Sequence, residues 1–281
     1  MAKGISLHIG VNRIDPGHYG TDGTLAACEF DANDMQQIAQ DHEFEDLKLL
    51  TTAATRNAVI SGIQDAAKSL DSGDIFFLSY AGHGSQIPDT NNDEPDGRDE
   101  TWCLYDGMLI DDELHRLWGT FKDGVRILVV SDSCHSGTVT RALNFPPVQE
   151  EGLPAERFLP EPVALRTFRT HRGFYEDILK KLKAELEKAK KATQAVKQKA
   201  PDGTNIVLVS GCQDNQTSLD GRHNGLFTGT LLSVWNEGKF EGNYKNLHSR
   251  IVARMPARQT PNLYSLGGDT TAFLAGRPFE V

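Results

Sequence analysis

No apolar run in this 281-residue chain is long enough to cross a bilayer. The opening Met1-Ala2-Lys3-Gly4 leads directly into a strand-like segment, so no secretory leader is expected. Cysteine is scarce. Cys28, Cys103, Cys134 and Cys212 are far apart and form no CxxC pair, which argues against a disulfide framework and against a structural zinc site. Positive charge is in deficit, with 29 Lys and Arg against 39 Asp and Glu. The formal net charge of −10 speaks against nucleic acid as a general partner and mildly favours cationic ligands. These absences predict a soluble protein of a reducing, cytoplasmic setting, with neither membrane nor nucleic acid as partner. At 38% hydrophobic, a chain of this length can bury one large α/β core or two small ones.

Two short apolar runs organise what is present. Arg126-Ile127-Leu128-Val129-Val130 has the texture of a strand buried on both faces, and it breaks into Ser131-Asp132-Ser133-Cys134-His135-Ser136-Gly137. Asp74-Ile75-Phe76-Phe77-Leu78-Ser79-Tyr80 has the same form and breaks into Ala81-Gly82-His83-Gly84-Ser85. In open α/β sheets chemistry gathers at the carboxyl ends of strands. If the two strands are neighbours, Cys134 and His83 meet, and an adjacent imidazole converts a thiol into a thiolate nucleophile. The plainer reading of Cys134 is a buried core cysteine; its polar, small neighbours favour the nucleophile. Glycines flanking His83 suit close backbone approach to a substrate, and His83 is expected to act as general base and acid. Asp132, two residues before Cys134 on an extended chain, shares its face and brings a carboxylate beside it, unless it simply caps a turn.

The remaining elements follow from periodicity. A first strand covers Ile5 to Asn12, a helix Leu25 to Gln40, a strand Leu47 to Leu50 and a helix from Thr55 to about Leu70. Pro88 to Glu113 reads as an acidic loop with one hydrophobic interruption, followed by a helix over Asp112–Trp118. The proline-rich stretch Asn144 to Pro162 reads as a surface loop, and Phe174 to Ala200 as a long amphipathic helix with a solvated lysine face. A buried strand at Asn205–Ser210, helices over Gly225–Trp235 and Leu247–Met255, and a closing strand at Thr260–Tyr264 complete the chain. No internal repeat is visible. The simplest organisation is one domain over 1–281, in which 1–141 and 204–281 build the core and 142–203 is an insertion. The order of elements predicts an α/β three-layer sandwich, with a mostly parallel central sheet of about six strands and helices on both faces.

Three segments carry a resemblance: Ser79 to Ser85, Asp132 to Gly137, and Ser210-Gly211-Cys212-Gln213-Asp214-Asn215-Gln216-Thr217-Ser218. With Cys28-Glu29-Phe30-Asp31 as a C-x-x-D element, they resemble the caspase-like cysteine peptidases, specifically metacaspases and their prokaryotic relatives, the orthocaspases. The resemblance covers most of the chain outside about 142–201. It implies a Cys134–His83 dyad, with the amides of Gly84 and Cys134 as donors to the oxyanion, a role that loop amides at strand ends suit. It also implies an S1 pocket with Asp31 and Asp132 on its floor and Cys28, Ser210 and Asp214 among its substrate-binding residues. Two carboxylates in that pocket select Arg or Lys at P1 and repel the aspartate that caspases require. Cys212 is expected to be structural, with pocket lining as the alternative, and Cys103 to be core.

The same resemblance raises calcium. Calcium-dependent metacaspases use an acid from the acidic loop (here Asp99), an adjacent pair (Asp111-Asp112) and an Asp seven residues after the cysteine. Arg141 holds that last position, so no cofactor is required by the motif and Ca2+ remains an open alternative. Arg141, Arg157, Arg166, Arg169, Arg172, Lys180 and Lys181 offer basic P1 sites in the insertion, and self-cleavage is expected between Arg141 and Lys199. The expected partners are peptides or proteins with Arg or Lys at P1. Two competing readings remain: a catalytically silent caspase-like binding or scaffold protein that senses cations through its acidic loop, and a small-molecule thiol hydrolase.

Overall fold

The computed structural model describes residues 2–89, 97–134, 154–192, 204–213 and 216–281. Six strands form the central sheet: β1 (Gly4–Gly10), β2 (Glu45–Leu50), β3 (Ile75–Ala81), β7 (Arg126–Asp132), β8 (Asn205–Ser210) and β9 (Asn262–Gly267), in the order β2-β1-β3-β7-β8-β9. All pairings are parallel except β8 with β9. The central strands read as unbroken apolar runs because successive side chains enter different layers. Phe76, Leu78, Ile127 and Val129 join one core, and Phe77, Leu128 and Val130 the other.

Helices α2 (Cys28–Asp41), α7 (Leu226–Trp235) and α8 (Tyr244–Val252) cover the second core through Met35, Ile38, Leu231, Trp235, Leu247 and Ile251. Helices α3 (Arg56–Ser69) and α4 (Asp111–Trp118) cover the first through Val59, Ile63, Leu114 and Leu117. Thr55 begins α3 where its hydroxyl accepts from the Ala58 amide at 3.2 Å, as expected of an N-cap threonine. The expected layers and the mostly parallel six-stranded sheet are therefore present, with short α1 (Pro16–Tyr19) and α9 (Thr271–Ala275) beside them.

The acidic stretch after His83 is more ordered than its composition predicts. Gly84–Pro88, Arg98–Leu104 and Gly107–Ile110 form an antiparallel three-stranded sheet, β4-β5-β6. Its apolar side chains, Ile87, Trp102, Leu104 and Leu109, are buried in the first core, a pattern hidden by the carboxylates between them. Beyond the inserted proline-rich stretch, α5 (Glu161–Thr170) precedes α6 (Arg172–Ala192), and both pack on the same core through Ala164, Phe168, Tyr175 and Leu179.

Candidate active site

The β3–β7 ladder sets the register of the site. Ala81 pairs with Asp132, so His83 and Cys134, each two residues further on, leave the sheet at the same level. The two chains then touch. A Cβ on Gly84 would fall 1.7 Å from the Cys134 carbonyl oxygen, so only glycine permits this approach. Behind it, the His83 carbonyl accepts from the Cys103 amide at 2.9 Å and from the Tyr80 hydroxyl at 2.7 Å. Tyr80 is itself stacked on Trp102, so the small sheet holds His83 in place.

The His83 ring is oriented by a carbonyl: its Nε2 lies 2.9 Å from the oxygen of Gly23. A carbonyl oxygen only accepts, so Nε2 carries the hydrogen and Nδ1 is the basic nitrogen. Nδ1 is buried and has no hydrogen-bond partner among the described residues. Gly23 adopts φ +49°, and a Cβ there would come within 2.9 Å of Ile14. Neither constraint is visible in the sequence.

Cys134 is completely buried. Its sulfur accepts from the Ser218 amide, and it packs with Cys212 and Phe158. Burial, with Cys212 alongside, pushes its thiol well above the ordinary value. Burial likewise lowers His83, to about 4. In this closed form the pair is a neutral thiol and a neutral imidazole. The thiolate expected from proximity alone is corrected by desolvation, which disfavours both charges.

What closes the site is the segment read from its prolines as a surface loop. Arg157 is fully buried. Its carbonyl oxygen accepts from the amides of Gly84 (3.0 Å) and Cys134 (3.3 Å), the two proposed as oxyanion donors. Its own amide donates to the Ser218 carbonyl at 2.9 Å, and the Asp220 amide donates to the Ala155 carbonyl at 2.7 Å. After Phe158 the Leu159 amide donates to the Gly84 carbonyl at 2.9 Å. The segment therefore lies as an added extended strand across the cysteine, held by main-chain bonds on both sides of Arg157.

The Arg157 guanidinium enters a carboxylate pocket. Nη1 donates to the Asp132 carbonyl (3.1 Å) and forms an ion pair with the Asp132 carboxylate (3.0 Å). Nη2 donates to Asp31 (2.5 Å) and Asp220 (3.0 Å), and Nε to Asp220 (3.3 Å). The carboxylates are themselves fixed. Asp132 accepts from the Thr228 amide and hydroxyl, at 3.1 and 2.7 Å, and from the Ser218 hydroxyl. Asp31 accepts from Asn224 (3.0 Å) and the Gly225 amide (3.1 Å). Gly225 is the pocket wall: a Cβ there would come 2.6 Å from both the guanidinium carbon and the Asp132 carboxylate.

Three acids facing one cation leave surplus negative charge. Burial, opposed by Arg157 and reinforced by Asp132, pushes Asp31 up to about 7. The folded chain then holds a proton that the unfolded chain releases near 3.8, so its stabilising effect is present below that value and lost as pH rises through about 7. Buried His83 acts in the opposite sense, so the quantity to measure is the difference between wild type and Asp31→Asn. Thermal unfolding followed from roughly pH 5 to 8 is expected to show a downward component with pH that the variant does not have. Superimposable slopes would contradict this.

The other expected residues are placed as follows. Cys28 is buried with Leu25, Ala81 and Ala155, and burial pushes its thiol well up, opposed by the nearby Arg157 guanidinium. The Ser210 hydroxyl donates to the Cys212 carbonyl at 3.0 Å and so is directed at its own turn. Asp214 lies outside the described residues, as do His135 and Arg141. Asp111 and Asp112 begin α4, where negative charge faces the positive helix end, and Asp99 is buried on β5. Among the described residues no three His, Cys, Asp or Glu side chains are arranged to hold a metal ion. Asp220, Gly225, Gly23 and Ser218 were not singled out by sequence. Asp220 falls just past the third motif, with no periodic or compositional signal of its own.

Comparison with known proteins gives the family and the fold. A family profile described as the caspase domain matches residues 3–270. Metacaspase-1 of Mycosarcoma maydis is 30% identical over 265 residues, covering 84% of this chain and 63% of its own length. Metacaspase-1A of Aspergillus terreus is 30% identical over 249 residues, covering 80% and 60%. The chain thus spans about three fifths of the curated relatives it matches. The crystal structure of protein GSU0716 from Geobacter sulfurreducens superposes with a TM-score of 0.86 at 51% identity, over 99% of each chain. Caspase-1 from Spodoptera frugiperda superposes with a TM-score of 0.57 at 10% identity, over 94% of this chain and 87% of its own, and shares the fold.

Proposed function

The chain belongs to the caspase-domain peptidase family, and from that premise we propose that it is a cysteine endopeptidase cutting after Arg or Lys, with its own Arg157–Phe158 bond as first substrate. One observation carries the reading: Arg157 lies with its side chain among Asp31, Asp132 and Asp220 while its carbonyl oxygen sits on the Gly84 and Cys134 amides. Side-chain recognition and carbonyl polarisation coincide at one residue beside one thiol.

The steps assigned to these groups are as follows. The Cys134 sulfur attacks the P1 carbonyl carbon as its proton passes to His83 Nδ1. The developing oxyanion is held by the two amides, which are already in place and need no reorganisation. Collapse breaks the C–N bond, and His83 returns the proton to the leaving amine. Water, deprotonated by His83, then hydrolyses the thioester and frees the sulfur. The Gly23 carbonyl fixes the tautomer throughout.

The pocket filled by Arg157 is closed to other chains, so peptide turnover follows release of this segment. Peptides with Arg or Lys at P1 carrying a fluorogenic leaving group are expected to be cut, and those with Asp at P1 to be left intact. Cleavage of the Asp peptide alone, or of none, would overturn the reading. The silent scaffold predicts the latter, and the small-molecule hydrolase predicts turnover of simple esters with no basic peptide cut.

A further inference from the structure

Asp31 and Asp132 account for attraction of a cation but do not distinguish its two natural forms. Asp31 meets one terminal nitrogen of Arg157, and Asp132 the other. Asp220 does something different: one oxygen spans the guanidinium edge, 3.0 Å from Nη2 and 3.3 Å from Nε. Resting on the peptidase reading, we propose that Asp220 is the residue that makes the S1 pocket select arginine over lysine.

The argument is positional. A lysine side chain laid along the same path puts a methylene where arginine has Nε, and its single nitrogen where arginine has the central carbon. Asp220 then meets a methylene at the Nε position and loses both hydrogen bonds of the guanidinium edge, and the ammonium stands further from Asp31 and Asp132 than the two Nη nitrogens do. Arginine instead donates from three nitrogens: Nη1 to the Asp132 carbonyl, with the Asp132 carboxylate as its ion-pair partner, Nη2 to Asp31 and Asp220, and Nε to Asp220. The acid is also in position before any substrate arrives. Its carboxylate accepts from the Ala26 amide at 2.6 Å and the Ala27 amide at 3.3 Å, where α2 begins. Its own amide binds the Ala155 carbonyl two residues before Arg157. Main chain and side chain of one residue thereby register the substrate strand and read the P1 edge.

The test compares matched fluorogenic peptides with Arg or Lys at P1 on wild type and Asp220→Asn. Asparagine keeps the size of the side chain and removes the charge at the guanidinium edge; its one oxygen replaces only one of the two that accept from the Ala26 and Ala27 amides, so the readout is the Arg-to-Lys ratio and not either rate alone. The wild type is expected to favour Arg in kcat/KM by about tenfold or more, one charge-assisted hydrogen bond's worth. In Asp220→Asn the Arg rate should fall by about that factor while the Lys rate changes little, bringing the ratio near unity. A ratio that survives the substitution overturns the proposal, since a purely structural role lowers both rates together. A second measurement needs no turnover. In the Cys134→Ala background, Arg157→Lys should lower Tm, and lower it less when Asp220 is also Asn; equal losses overturn the proposal. If the wild type cuts neither peptide, the peptidase reading fails, and the Tm comparison still decides what Asp220 recognises.

Discussion

Asp132→Asn is expected to lower kcat/KM for Arg peptides by roughly 30-fold to 10³-fold, the range for removing one charge from a buried, hydrogen-bonded pair. The asparagine oxygen can keep the position now facing Nη1 and Thr228, because the Ser218 hydroxyl on the other side can accept as readily as donate. The substitution therefore removes charge with little change of shape. Asp31 and Asp220 still attract the cation, which is why the loss stops short of abolition. A pocket role predicts that the loss falls on basic P1 residues. Compared on chains whose Arg157–Phe158 bond has already been cut, a peptide with a neutral P1, if cut slowly by wild type, should be cut at the same slow rate by the variant. Steady-state kinetics on the two peptides separates this from general damage, which would lower both.

The fold and the core of the site could be read from the sequence because both are written in local pattern. Continuous apolar runs at β3 and β7 point to a parallel sheet, and the polar breaks after them to strand ends, which the β3–β7 register places side by side before His83 and Cys134. The small antiparallel sheet was not legible, since its buried positions are interleaved with acids such as Asp99 and Glu100. The prolines between Asn144 and Pro162 predict a surface loop, yet Arg157, Phe158 and Leu159 are buried over the site, for a related reason. Proline excludes a strand from a sheet interior but does not keep a segment on the surface, and here the partners are the site's own free amides and carbonyls. Nothing in spacing separates Arg157 from Arg166 or Arg169; only the fold selects it.

The charge states show the same limit. Proximity of a cysteine and a histidine predicts an ion pair in water-accessible surroundings, and sequence carries no measure of how dry the site is. Phe158 over Cys134 and Cys212 supplies that missing term, and it departs when the segment departs.

The second large effect concerns that strand. Incubated wild type is expected to divide into fragments 1–157 and 158–281, while Cys134→Ala and Arg157→Ala leave that bond intact for different reasons: one has no nucleophile, the other no P1 side chain. Loss of the nucleophile in a comparable hydrolytic site costs on the order of 10⁶-fold, so the Cys134→Ala chain should show no cut at any practical time. Arg157→Lys should be cut at the same bond, more slowly. The decisive measurement is the intact mass of the incubated wild-type chain together with the N-terminal sequence of its smaller product. A new terminus reading Phe158-Leu159-Pro160, absent from Cys134→Ala, is the predicted result. An uncut wild-type chain, or a cut elsewhere with Arg157–Phe158 preserved, would contradict the placement of Arg157 as the first substrate of Cys134.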